Sequence, residues 1–288
     1  MKIKKVLLSA GVHGNEKTPV FLLKKFQKNQ ILLERTNFET EILIANPQAV
    51  KLHQRYIDID LNRCFSAETL DNPHPVKYEE IQAQEINRRI RESQTEFILD
   101  FHTTSSSNMG ITLLLSNDNP FNLKLAAYLA KNNNSVHIVL NAEHQDNNRL
   151  RHLIPWGMTV EIGGIAPNVI DPVWVERLEA LVKQILDYLE LLNEERPPIT
   201  PKIVTIYSLL KPVYFPTDHQ GEIVAMVHPN LHGSDYSILN SSEPMFIDLD
   251  GNNINYLGEA AHILFVSESA YLEKKIAFYL ATKKEIKI

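Results

Sequence analysis

The first two-thirds of the chain alternates short apolar runs with longer segments of helical period. This alternation constrains the fold most, because it is typical of an α/β layer architecture with a largely parallel sheet. The runs expected to form strands are Lys5 to Ser9, Glu41 to Ala45, Glu96 to His102, Ile111 to Leu115, Val136 to Leu140 and Met158 to Ile162. The segments expected to form helices are Thr18 to Lys28, Val76 to Ser93, Asn122 to Lys131 and Pro172 to Asn193.

Prolines at positions 197, 198 and 201 divide the chain into two parts. Proline cannot continue a helix, so this stretch predicts an extended linker. We therefore expect a main domain over residues 1–196 and a smaller β-rich domain over residues 197–288. The strand-like runs beyond the linker are Ile203 to Leu209, Glu222 to Val227, Pro244 to Asp248 and His262 to Val266. A short helix from Tyr271 is expected to close the chain.

Charge and cysteine content narrow the possible partners and the compartment. The net charge of −6 argues against a nucleic-acid partner, because phosphate backbones are bound by clustered Lys and Arg. Cys64 is the only cysteine, so no intrachain disulfide is possible and a cytoplasmic location is the simpler interpretation. Cys64 itself is expected to be a buried, unreactive thiol. No stretch approaches the ~20 apolar residues of a membrane span, and the N-terminal apolar run is too short for a signal peptide.

Two histidines and a glutamate stand where predicted strands end. His13 and Glu16 follow the apolar run that begins at Lys5, and His102 ends the run that begins at Glu96. The carboxyl ends of parallel strands meet at one edge of a sheet, where ligands bind in open α/β folds. Two imidazoles and one carboxylate, with a fourth position left for water, are the usual ligand set of a catalytic zinc ion. The sequence therefore predicts a zinc site at this edge.

Other polar residues near the same edge would complete a hydrolytic site. Asp100 shares one side of a strand with His102 and is expected to orient its imidazole. Glu161 lies inside a predicted strand, where a buried carboxylate is costly, so it is a candidate general base for a zinc-activated water. Arg55 is a candidate for stabilising the oxyanion formed on an attacked carbonyl. Taken singly, each residue also fits a structural role such as a solvated loop or a salt bridge.

Longer motifs around these residues resemble the aspartoacylase branch of the aspartoacylase and succinylglutamate desuccinylase family, which has the zinc carboxypeptidase fold. The matching motifs are Gly-Val-His-Gly-Asn-Glu from Gly11, Asn-Pro-Gln-Ala-Val from Asn46, Arg-Tyr-Ile-Asp-Ile-Asp-Leu-Asn-Arg from Arg55, Asp-Phe-His-Thr-Thr from Asp100, Ser-Asn-Met-Gly from Ser107, Val-Glu-Ile-Gly from Val160, His-Pro-Asn-Leu from His228 and Ser-Glu-Ser-Ala-Tyr from Ser267. Their combination is specific and extends from the first strand to the C-terminal segment.

For the reaction centre, this resemblance implies one zinc ion per subunit, held by His13, Glu16 and His102. It implies that Glu161 is the proton shuttle and that Arg55 lies near the scissile carbonyl. Residues 1–196 would then form a zinc-hydrolase catalytic domain with a mixed, largely parallel sheet flanked by helices. Residues 197–288 would contribute to the substrate pocket, and a homo-oligomer is expected.

For the substrate, the resemblance implies that Asn62 and Arg63 bind the α-carboxylate of an N-acyl amino acid. Tyr271 would reach the pocket from the C-terminal domain, with Glu268 supporting that segment. Arg151 stands at the family position that binds the side-chain carboxylate. These roles suit hydrolysis of N-acetyl-L-aspartate to acetate and L-aspartate, because a guanidinium fork matches a carboxylate and two carboxylates need binding.

Alternatives remain for the substrate. The tyrosine that accompanies this arginine in mammalian members of the family has no counterpart in the segment from Gln145 to Arg149. A zinc deacylase of other N-acyl amino acids, aromatic or S-conjugated cysteine derivatives, therefore stays open. A carboxypeptidase is disfavoured, because the β-domain of the family would narrow the cleft against a peptide. A metal-binding protein without catalysis is the alternative from another class.

Overall fold

Ten strands form one mixed sheet in the computed structural model, which describes residues 2–140 and 148–288. The strands of the described chain are β1 (Lys5–Ala10), β2 (Glu39–Ile44), β3 (Phe97–Thr104), β4 (Gly110–Leu115), β5 (Val136–Leu140), β6 (Gly157–Gly163), β7 (Ile203–Tyr214), β8 (Ala225–Val227), β9 (Ile238–Leu239), β10 (Pro244–Asp248), β11 (Asn253–Asn255), β12 (Ala261–Leu264) and β13 (Ile276–Lys287). The large sheet has the order β2-β1-β3-β6-β4-β5-β7-β13-β12-β9, and a small sheet has the order β11-β10-β8.

The half of the large sheet that carries the candidate ligands is mostly parallel. Strands β2, β1, β3 and β6 pair in parallel, β6 pairs antiparallel with β4, and β4, β5 and β7 pair in parallel. The carboxyl ends of β1, β3 and β6 therefore meet at one edge. The expected α/β fold class, with a largely parallel sheet, is confirmed.

Helices cover both faces of this sheet. They are α1 (Lys17–Lys28), α2 (Pro47–Leu52), α3 (Ala67–Leu70), α4 (Tyr78–Ser93), α5 (Pro120–Asn132) and α6 (Pro172–Asn193). The start of α6 follows from its sequence, because the Asp171 side chain accepts hydrogen bonds from the backbone N–H groups of Val173 and Trp174, and Pro172 occupies the first helical position. Within residues 2–140 and 148–288, no helix is both long and apolar enough to cross a bilayer.

The two faces of β1 contribute to separate cores. Leu8 packs with apolar residues of α1, α5 and α6, whereas Leu7 packs with those of α4 on the opposite face. This alternation follows from the two-residue period of a strand. Cys64 is buried in the core beside α4, and burial raises the pKa of its thiol to about 12. It is thus the unreactive thiol that the sequence predicts.

The C-terminal segment differs from the expected closing helix. Tyr271 lies in a short 3-10 helix, Ser269–Lys274, and the last long element is strand β13. Strand β13 pairs antiparallel with β7, and β7 pairs with β5, so the C-terminal strands extend the main sheet. The first half of β13 is buried, but its second half is mostly exposed and contains Lys283 and Lys284, which hides the strand pattern in the sequence. The domain boundary between residues 196 and 197 stays a prediction.

Candidate metal centre and substrate pocket

A tight turn after β1 brings His13 and Glu16 to the edge of the sheet. Gly14 in this turn contacts the start of α2, and its N–H donates to the carbonyl of Arg55. A Cβ atom at Gly14 would lie 2.1 Å from the backbone carbonyl carbon of Ala49, so only glycine fits this close approach. The glycine between the two polar residues therefore fixes the turn that positions both side chains.

His13, Glu16 and His102 form one buried cluster at the carboxyl ends of β1 and β3. The Nδ1 atom of His13 lies 2.6 Å from Glu16 Oε1 and 3.2 Å from His102 Nδ1. The Nδ1 atom of His102 lies 3.0 Å from Glu16 Oε2. One ligand atom from each residue can be chosen so that all lie within 4.8 Å of one another. Both rings therefore present Nδ1 to the same point as the glutamate.

A carboxylate lies behind each imidazole, on the side away from this point. Asp100 Oδ2 lies 2.9 Å from His102 Nε2, which is the contact expected from the strand period. Asp60 Oδ1 lies 3.1 Å from His13 Nε2. Carboxylates that accept from one ring nitrogen leave the other nitrogen unprotonated and available to a metal. Sequence reasoning missed the role of Asp60, although it lies in the motif that begins at Arg55.

The donor set and its surroundings fit a zinc ion. Two neutral imidazoles and one carboxylate are common zinc ligands, and all three residues here are buried. Burial favours the protonated form of Glu16, but its interactions with the imidazoles of His102 and His13 hold its pKa below the usual value. Glu16 is therefore ionised at neutral pH, as a metal ligand must be.

Glu161 stands on β6 directly across from His102, its register partner on β3. Burial raises the pKa of Glu161 to about 7, although the interaction with His102 opposes this rise. Among the residues that the structure describes, its carboxyl has no hydrogen-bond partner and faces the same cavity as the cluster. A carboxyl in this position can both accept and return a proton.

The segment from Arg55 to Arg63 wraps around the cluster. Arg55 Nη2 lies 2.9 Å from His13 Nε2 and 3.3 Å from Asp60 Oδ2. Asn62 Nδ2 lies 3.5 Å from His102 Nε2, and the Arg63 guanidinium donates to the backbone carbonyl of Asn62. All three predicted residues of this segment therefore reach the pocket beside the histidines.

Arg151 and Tyr271 approach from other parts of the chain. Arg151 is buried, donates to Ser116 Oγ at 2.8 Å and to Thr159 Oγ1 at 3.2 Å, and still lines the cavity. Tyr271 lies in the 3-10 helix that Glu268 caps by accepting from the Ala270 N–H. The carboxylate of Glu268 also accepts from Ser105 N at 2.7 Å, which ties this helix to the end of β3.

One cavity collects every residue that the sequence singled out for metal, catalysis or substrate: His13, Glu16, Arg55, Asn62, Arg63, His102, Arg151, Glu161 and Tyr271. It is also lined by residues that sequence reasoning did not select, among them Arg149, Phe265, Lys274 and Tyr279. In the sequence, the only sign of Arg149 was its position two residues before Arg151. The segment from Gln145 to Asn147, part of the stretch without the family tyrosine, lies outside the described residues.

Known proteins resemble this chain in both sequence and fold. Residues 2–189 match the family model "Succinylglutamate desuccinylase/Aspartoacylase catalytic domain", and residues 202–283 match "AstE/AspA barrel-sandwich hybrid domain". A protein of Trichodesmium erythraeum (strain IMS101), "Probable aspartoacylase", is 41% identical over 100% of this chain and 99% of its own length. The "N-acyl-aromatic-L-amino acid amidohydrolase (carboxylate-forming)" of Xenopus laevis is 35% identical over 98% and 95%.

A solved structure resembles this protein over nearly its whole length. The crystal structure of murine aminoacylase 3 matches with a TM-score of 0.93 at 30% sequence identity, covering 99% of this chain and 97% of that chain. The likeness therefore spans both the sheet that carries the cluster and the C-terminal strands. The chain belongs to the succinylglutamate desuccinylase/aspartoacylase family.

Proposed function

We propose that this protein hydrolyses the amide bond of N-acetyl-L-aspartate, giving acetate and L-aspartate. Membership in the family supports the coarser reaction, amide hydrolysis of N-acyl amino acids. The observation that carries the proposal is one cavity in which a metal-type cluster, a glutamate without a partner in the described chain and several cations meet. A substrate with one amide and two carboxylates uses all of these groups.

We assign His13, Glu16 and His102 as the residues that would hold one zinc ion. A bound zinc ion supplies Lewis acidity, which polarises a carbonyl oxygen and makes water more acidic. Asp60 and Asp100 hold the two imidazoles with Nδ1 directed at the common point. The protein thus contributes ligands of fixed orientation, which the carboxylates behind them make more basic.

Glu161 acts as the general base in this proposal. It accepts a proton from water as the water oxygen bonds to the acyl carbon. Glu161 then returns the proton to the amide nitrogen, so that the carbon–nitrogen bond breaks and the amino acid leaves as an amine. Arg55, beside the cluster, stabilises the negative charge that develops on the carbonyl oxygen.

The amino-acid half of the substrate is held by hydrogen bonds and charge. Asn62 and Arg63 bind its α-carboxylate, and the Tyr271 phenol donates a further hydrogen bond. Burial holds the pKa of Tyr271 well above its usual value, so the phenol keeps its proton. Arg151 binds the side-chain carboxylate from the buried end of the pocket.

Replacing the buried Arg151 tests whether it binds the side-chain carboxylate. We expect Arg151→Ala to raise KM for acetylaspartate far more than for N-acetyl-L-asparagine, which has the same shape without the charge. A charge-assisted hydrogen bond contributes about 1.5–3 kcal/mol, so the loss in kcat/KM should be roughly 10- to 150-fold. Steady-state kinetics on both substrates measure the effect, and equal losses on the two would remove Arg151 from side-chain recognition.

The zinc deacylase of aromatic or S-conjugated substrates is the second candidate. The name of the Xenopus laevis relative and the aromatic rings of Phe265 and Tyr279 in the cavity favour it. Five cationic side chains in the same cavity favour the acidic substrate instead. A cytoplasmic location and a homo-oligomer stay predictions.

A further inference from the structure

Four cationic side chains line the cavity without a carboxylate partner in the described part of the chain. They are Arg63, Arg149, Arg151 and Lys274. Arg55 differs from them, because Asp60 lies 3.3 Å from its guanidinium. Like charges brought together in a partly desolvated cavity repel one another unless an anion joins them. The cavity therefore suits a ligand with more than one negative charge.

Tertiary contacts fix the backbone of Arg149 beside the substrate-binding loop. The N–H of Phe65 donates to the carbonyl of Asn148 at 3.1 Å. The N–H of Leu150 donates to Asn62 Oδ1 at 3.4 Å. The carbonyl of Arg149 itself accepts from the His152 N–H at 2.9 Å. Arg149 is thus placed by bonds on both sides of it, and its position next to Asn62 is part of the folded structure.

The side chain of Arg149, in contrast, has no polar partner among the described residues. It is half-buried, and within residues 2–140 and 148–288 its guanidinium has neither a hydrogen bond nor an ion pair. Its charge acts on its neighbours: burial and the charge of Arg149 lower the pKa of Arg63 below its usual value and that of Arg151 to about 9. These guanidiniums stay protonated at neutral pH, so the mutual repulsion persists.

Arg151 offers a contrast within the same cavity. Its Nε and Nη1 atoms donate to Ser116 and Thr159, and the side chain is 4% exposed. Much of its hydrogen-bonding capacity therefore holds the side chain in place. Within residues 2–140 and 148–288, no group uses the donors of Arg149, so they can bind a ligand that enters the cavity.

We propose that Arg149 binds the side-chain carboxylate of the substrate, together with Arg151, and makes the pocket selective for N-acyl amino acids with an acidic side chain. This inference rests on the function proposed above. Arg149 approaches the carboxylate from the more exposed side and Arg151 from the buried side. A carboxylate bound between the two guanidiniums offsets their mutual repulsion, whereas a substrate with a neutral side chain does not.

The test compares kcat/KM for acetylaspartate with kcat/KM for acetylasparagine in the zinc-loaded enzyme. The variants are Arg149→Ala, the charge-retaining Arg149→Lys, and Arg196→Ala as a control. Arg196 is exposed and pairs with Glu194 away from the cavity, and its substitution removes the same charge. We expect Arg149→Ala to lower the ratio about 10- to 100-fold, mainly through KM for acetylaspartate. Arg149→Lys should recover part of the ratio, and Arg196→Ala should leave it unchanged.

Two results would overturn the inference, and they are distinguishable. A wild-type enzyme that strongly prefers acetylaspartate, with the same preference in Arg149→Ala, would keep the proposed function and assign recognition to other residues. A wild-type enzyme with no preference would overturn both the acidic substrate and the role of Arg149. Direct binding of L-aspartate and of L-asparagine, measured by calorimetry on the same variants, gives a second readout, because binding of the product needs no turnover.

Discussion

Glu161→Gln is expected to lower kcat for acetylaspartate by about 10²–10⁴-fold, the usual contribution of a positioned general base. Glutamine has the same shape but cannot accept the proton of the attacking water. The metal cluster should be unaffected, because zinc is assigned to His13, Glu16 and His102, and Glu161 only faces them across the register of β3 and β6. The measurement is kcat together with the zinc content of the purified variant.

A matched control separates this effect from a general loss of charge. Glu176 is an exposed glutamate on α6, and Glu176→Gln should keep both kcat and zinc content. The role of Glu161 as base is wrong if the zinc-loaded Glu161→Gln enzyme retains substantial turnover. Loss of zinc from that variant would instead place Glu161 among the residues that hold the metal.

His102→Ala is expected to abolish tight zinc binding, and activity with it. The substitution removes one of three ligands and leaves Asp100 buried without the imidazole that it contacts. Asp100→Asn is a smaller change, because it keeps His102 as a ligand and weakens only the hydrogen bond that orients its imidazole. Loss of such a supporting contact typically costs about 10- to 100-fold in metal affinity.

Competition with a chelator measures both effects as zinc dissociation constants. Thermal unfolding of the metal-free proteins shows whether each variant still folds. A folded His102→Ala protein that retains one tightly bound zinc ion per subunit would contradict the assigned ligand set. Equal zinc affinities for the native protein and Asp100→Asn would show that the Asp100 contact has no part in holding the metal.

Local signals in the sequence were enough to predict most helices and strands around the metal cluster. Helix α6 has the predicted bounds because its start carries both a capping aspartate and a proline, and its apolar residues keep one helical stripe. Strand β5 is likewise as predicted, and β1, β3 and β6 were predicted to within two residues. These elements follow from periodicity, which neighbouring residues determine.

Non-local pairing was harder to predict. Strand β13 joins β7, about seventy residues earlier in the chain, and no short-range pattern records that contact. Its second half is exposed and rich in charged residues, so it lacks the pattern of a buried strand. From the sequence alone, a closing helix is expected from Tyr271 instead. The same holds for β7 beside β5, which extends the main sheet into the C-terminal strands.

In the candidate site, too, residues with a local sequence signal were predicted, and residues that act through non-local contacts were missed. His13 and His102 were predicted because His13 follows one predicted strand, His102 ends another, and the two strands end at the same edge. Asp60 and Arg149 were missed because their importance lies in contacts with other segments, Asp60 with His13 and Arg149 beside Asn62. Such contacts depend on how loops fold over the sheet, which a single sequence does not encode by spacing alone.

The specificity of the zinc-loaded enzyme over a panel of N-acetylated amino acids tests the proposed acetylaspartate hydrolysis most directly. The quantity to compare is kcat/KM for the aspartate, glutamate, phenylalanine and methionine derivatives. We expect the highest value for acetylaspartate, with the neutral substrates at least about tenfold lower, the factor expected for one lost charge-assisted bond. A higher value for acetylphenylalanine or acetylmethionine would contradict the proposal.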